Sequence, residues 1–119
     1  MTETAPLWSP SADRIAAAPM SAFIARAAEA SGRPIADYDA LHRWSVEERE
    51  AFWPLVWDFC GIVGERGARV LEDGDRMPGA KFFPDARLNF AENLLKKSGA
   101  SDALVFRGED KVARRLSWD

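Results

Sequence analysis

The chain has 119 residues, 47% hydrophobic and 29% charged, which allows one small globular domain and argues against a disordered chain or most two-domain enzymes. Sixteen Lys and Arg against nineteen Asp and Glu leave a net charge of −3, so no basic face is expected for nucleic-acid phosphates. Five Trp and seven Phe accompany a single Tyr, and that ring area needs a substantial core, or a partner, to cover it.

Pro6 and Pro10 flank Leu7-Trp8-Ser9, so residues 1–10 read as an extended arm whose Trp8 is expected to dock on apolar surface. No basic segment followed by a long apolar run opens the chain, and no apolar run reaches membrane-spanning length. No signal peptide or transmembrane helix is therefore expected, and the default location is cytoplasmic. Ser11 can cap a short helix over Asp13–Ala17. Pro19 suits the first turn of a second helix, in which Met20, Phe23, Ile24, Ala27 and Ala28 form one apolar stripe. Gly32 and Pro34 end it.

Asp37 is placed to cap a short helix through Tyr38, Leu41 and Trp44. Ser45-Val46-Glu47-Glu48 has the spacing of a capping box and predicts a new helix with Phe52, Val56, Phe59, Cys60 and Val63 on one face. Trp53 and Trp57 lie on an adjacent face, so this helix should be covered on two sides. Pro54 removes one of its hydrogen bonds and predicts a kink, or two helices end to end. Cys60, the sole cysteine, reads as a small buried hydrophobe in a reducing compartment.

Gly61, Gly64 and Gly67 match neither a P-loop nor a dinucleotide turn and read as helix terminators. Residues 69–72 predict a short strand before a turn at Asp73-Gly74-Asp75, and Phe82-Phe83-Pro84 reads as extended. A helix opening near Asp85 would carry Leu88, Ala91, Glu92, Leu94 and Leu95, with Lys96 and Lys97 at its negative end. Residues 103–107 and 111–116 predict a β-hairpin around Gly108-Glu109-Asp110. Ser117-Trp118-Asp119 reads as the cap and first turn of a further helix, which predicts a chain cut short.

The candidate chemistry is thin. Asp85, Asn89, Glu92 and Asn93 could share a helix face and offer oxygens to a cation, but such a face is more simply a hydrogen-bonded one. Glu47, Glu48 and Glu50 suit the positive end of a helix without any acid–base role. His42 is a lone histidine beside Leu41 and Trp44, and Arg114 and Arg115 point to opposite strand faces as edge defences. The expected catalytic, cofactor-binding and metal-binding residues of this segment are therefore none.

The run from Ala36 to Val46, Ala-Asp-Tyr-Asp-Ala-Leu-His-Arg-Trp-Ser-Val, followed by Ala51-Phe52-Trp53, resembles the beginning of the acetyl-CoA synthetase-like, adenylate-forming ligases. Phe83-Pro84-Asp85-Ala86-Arg87-Leu88-Asn89-Phe90-Ala91-Glu92-Asn93-Leu94-Leu95 is more specific and resembles the acetoacetyl-CoA synthetases within that family. Pro6-Leu7-Trp8 and Phe106-Arg107-Gly108-Glu109-Asp110 agree with it. Acetyl- and propionyl-CoA synthetases have a related Leu-Asn...Asn core here but usually Gly-Gly before it, where this chain has Asp85-Ala86.

The resemblance implies an α+β piece of the large N-terminal domain of an adenylate-forming enzyme. Residues 1–100 would be a mostly helical cap of about four helices, and residues 101–119 the first β-hairpin of the large AMP-binding domain. An intact parent would make acetoacetyl-CoA from acetoacetate, ATP and CoA through an acyl-adenylate. ATP, Mg²⁺ and CoA are implied for that parent and none for this segment, which would be structural and inactive alone. Its partner would be the rest of the AMP-binding domain, with self-association possible through exposed apolar surface and neither nucleic acid nor membrane involved. The alternative is a free-standing interaction module that has kept the cap fold.

Overall fold

The computed structural model describes residues 6–119, so the first five residues of the expected arm lie outside it. Ser11 caps α1 (Ala12–Ala16), its hydroxyl accepting the Arg14 N–H at 3.3 Å. α2 (Pro19–Ser31) begins with Pro19, whose missing N–H is harmless in a first turn, and ends as Gly32 turns left-handed. Asp37 caps α3 (Tyr38–Glu47) by accepting the Ala40 N–H at 2.8 Å. α4 (Arg49–Phe59) follows after Glu48 alone.

These helices hold the core. Phe23, Ala27, Ile35, Leu41 and Trp44 are buried, with Phe52, Leu55 and Val56 packed on them. Phe23 meets Phe52 and Phe59 edge-on at 5.8 and 5.0 Å, and Phe52 meets Trp44 at 5.7 Å, the geometry that ring quadrupoles favour. Of the stripe expected on α2, Phe23 and Ala27 are buried, Ile24 and Ala28 half-buried, and Met20 exposed.

Ser45 does not open a helix. Burial of Trp44 keeps this turn within α3, and the Ser45 hydroxyl donates back to the His42 carbonyl at 2.7 Å. Glu48, instead of closing a capping box, accepts the Trp44 indole N–H at 3.3 Å and pairs with Arg33. The break falls at Glu48 (φ −122°, ψ 56°), and α4 runs as one helix with Pro54 inside it.

The far side of α4 is covered by a second layer. β1 (Leu71–Glu72) and β2 (Lys81–Phe82) pair antiparallel, Leu71 opposite Phe82. Phe82 packs on Trp53 at 5.3 Å and Phe83 on Trp57 at 5.2 Å, so the wide apolar arc of α4 is met on two sides. Phe83 is not extended as expected. It adopts φ 48° while its N–H donates to the Val70 carbonyl at 2.8 Å, and this left-handed step delivers its ring to Trp57.

α5 (Phe90–Leu94) starts later than expected because Asn89, not Asp85, caps it, accepting the Ala91 N–H at 2.9 Å. β3 (Asp102–Gly108) and β4 (Val112–Ser117) form the hairpin, Leu104 facing Leu116 and Phe106 facing Arg114. Ser117, read as a helix cap, stands as the last residue of β4. Ser117 pairs with Asp102, the Trp118 N–H donates to the Ser101 carbonyl, and the Asp119 carboxylate accepts the Gly99 N–H at 2.8 Å.

Trp8 does not dock either; it is 67% exposed, with the Arg14 guanidinium over its ring. The radius of gyration is 19.6 Å, against about 13–14 Å for a compact chain of this length. The β3–β4 hairpin makes no extensive contact with any other element. This is an α+β arrangement with the character of a piece of a larger domain.

Candidate functional site

The densest polar constellation lies where the segment after α4 meets the segment leading into α5. Two backbone hydrogen bonds, each 2.8 Å, join Glu65 and Arg87 as an isolated antiparallel bridge. Glycine makes this approach possible. A Cβ at Gly64 would lie 2.6 Å from the Leu88 Cβ, and one at Gly67 2.5 Å from the Asp85 Cβ. Only Gly61 acts as the helix terminator expected of all three; Gly64 and Gly67 are close-approach positions.

Asn93 closes the same junction. Its Oδ1 accepts the Val63 N–H at 2.8 Å, and its Nδ2 donates to the Val63 carbonyl at 2.7 Å. Lys96 reaches back to the carbonyls of Cys60 and Gly61 at 3.1 and 2.8 Å. It therefore satisfies the C-terminal end of α4 rather than that of α5.

Beside this junction, Arg69 grips Asp85 with two side-chain bonds, Nε to Oδ2 at 2.9 Å and Nη2 to Oδ1 at 2.5 Å. Arg69 also pairs with Glu72, which in turn pairs with Lys81. The Arg69 hydrogen bond holds the Asp85 carboxyl below its ordinary value, and the Lys81 hydrogen bond does the same for Glu72. Arg69 and Lys81 are raised correspondingly, each chiefly by its carboxylate partner. On the opposite edge Arg49 donates to the Gly74 carbonyl and to Asp75, both at 2.6 Å.

The residues singled out from sequence do not converge. Asp85 is taken by Arg69, Asn89 caps α5, Asn93 binds Val63, and Glu92 stays exposed in the first turn of α5. Among the described residues no group of three or more His, Cys, Asp or Glu is placed to hold a metal. Cys60 is exposed rather than buried, because α4 ends at it and the chain turns away. His42 is exposed and stacks on Tyr38 at 6.3 Å. Arg115 pairs with Asp102 across the hairpin.

A nucleotide and its Mg²⁺ do not fit the glycine-rich turn. The space above Gly64 and Gly67 is filled by Leu88 and Asp85, and the Glu65 N–H is already spent on Arg87, so no open row of donors faces a phosphate.

A family model described as the acetyl-coenzyme A synthetase N-terminus matches residues 38–94, from the first residue of α3 to the last of α5. An acetoacetyl-coenzyme A synthetase of Rhizobium meliloti is 59% identical over 114 residues, 96% of this chain and 18% of the relative. The chain belongs to the acetyl-coenzyme A synthetase family, as its N-terminal segment.

A malonamoyl-CoA synthetase of Penicillium aethiopicum is 40% identical over 94% of this chain and 16% of its own length. An acetoacetyl-CoA synthetase of Macaca fascicularis is 40% identical over 65% and 12%. The chain thus spans less than a fifth of the length of these curated relatives. No solved structure gave a significant match. The Glu65–Arg87 bridge, the Asn93 clamp and the Arg69–Asp85 pair all fall inside the stretch matched by the family model. No helix among the described residues is long and apolar enough to cross a membrane.

Local pattern gave no sign of the Asn93–Val63 and Lys96–Cys60 contacts, since the partners are 30 and 36 positions apart. The one usable signal was Gly64 and Gly67, glycines beyond the single one that a helix end requires.

Proposed function

We propose that this chain is the structural N-terminal segment of an acetoacetyl-CoA synthetase. The intact enzyme would join acetoacetate to ATP as an acyl-adenylate, release pyrophosphate, and pass the acyl group to the CoA thiol in the cytoplasm. Residues 1–100 serve as its helical cap and residues 101–119 as the first hairpin of its AMP-binding domain. The segment supplies packing and no catalytic, cofactor-binding or metal-binding residue.

The single observation behind this reading is the 59% identity to a named acetoacetyl-CoA synthetase along 96% of the chain. The non-catalytic role is supported by four candidate polar side chains, Asp85, Glu72, Asn89 and Asn93, each of which is engaged within the chain itself. The malonamoyl-CoA synthetase relative, 40% identical over 94% of the chain, favours placing the choice of acid elsewhere in the enzyme.

Pyrophosphate release tests the non-catalytic role. The 119-residue chain mixed with ATP, Mg²⁺, acetoacetate and CoA should release none. Sustained release proportional to the amount of chain would overturn it.

A further inference from the structure

We draw no further inference here: the strongest candidate, the cleft of about 220 Å³ along α3 lined by Arg33, Ile35, Ala40, Arg43 and Trp44, carries no anion site because Arg33 is already paired with Glu48 and Glu47 lines the same cleft, so that its two guanidiniums are balanced by two carboxylates.

Discussion

The side-chain amide of Asn93 pairs reciprocally with the backbone of Val63, accepting its N–H at 2.8 Å and donating to its carbonyl at 2.7 Å. One side chain thereby imitates a strand partner and ties α5 to the chain leaving α4, 30 positions earlier in sequence. Asn93→Ala would hand both exposed Val63 groups to water, and a hydrogen bond exchanged for water costs about 0.5–1.5 kcal/mol. An unfolding free energy from urea titration lowered by that amount is expected. Asn93→Asp keeps the acceptor and loses the donor, so it should fall between wild type and Asn93→Ala.

Gly64 and Gly67 should tolerate no side chain, while Gly32 should. All three have positive φ, but nothing lies within 4 Å of a Cβ built on Gly32. Gly32→Ala then carries only the left-handed penalty of about 1–2 kcal/mol. Gly64→Ala and Gly67→Ala add a collision with backbone-anchored atoms, and overpacking of that kind costs about a further 1–3 kcal/mol. Thermal melts of the three variants should rank Gly32→Ala well above the other two.

The Asp85–Arg69 and Glu72–Lys81 pairs predict an acid limb of stability. Both carboxyls are held below their ordinary values of 3.8 and 4.5, so their stabilisation is present above those values and is lost as pH falls through the lower, folded-state ones. Raised Lys81 and Arg69 have the opposite sign; their contribution is complete below their ordinary values and fades only as pH rises through still higher ones, far above neutrality. Urea midpoints should therefore be flat near neutrality and drop below about pH 4, with Asp85→Asn flattening that drop. Because the pairs are exposed, added salt should weaken them.

Core and hairpin should respond differently to truncation. Phe23 is buried among Trp44, Phe52 and Phe59, and Phe23→Ala should cost about 3–5 kcal/mol, enough to unfold a chain with so small a core. Phe106 is exposed, so Phe106→Ser should leave the melt of the 119-residue chain nearly unchanged and reduce its binding of a hydrophobic dye.

Where periodicity and caps operate locally, the fold was legible. The Ser11 and Asp37 caps, the Pro19 start and Gly32 stop, the stripe holding Phe23 and Ala27, and the 102–117 hairpin follow from residues within one or two turns of each other. The two-sided cover of α4 was legible too, from Trp53 and Trp57 lying beside the Phe52–Val56 face. Local rules misplaced what distant packing decides. The capping-box spacing of Ser45 and Glu48 yields to burial of Trp44. Asp85 left its expected helix for Arg69, 16 positions away. Cys60 looked buried because its neighbours are apolar, yet exposure depends on what covers the end of α4, and no local pattern encodes that. The family resemblance was readable because contiguous runs such as 83–95 carry it.

The most direct test of the segment's role is the steady-state kinetics of the Rhizobium meliloti synthetase carrying this chain in place of its own matched segment. A packing segment without catalytic or acid-selecting residues predicts that kcat and the KM for acetoacetate stay within about threefold of the parent, under roughly 0.7 kcal/mol in transition-state stabilisation. A stably folded hybrid whose kcat collapses, or whose preference shifts to another acid, would contradict it.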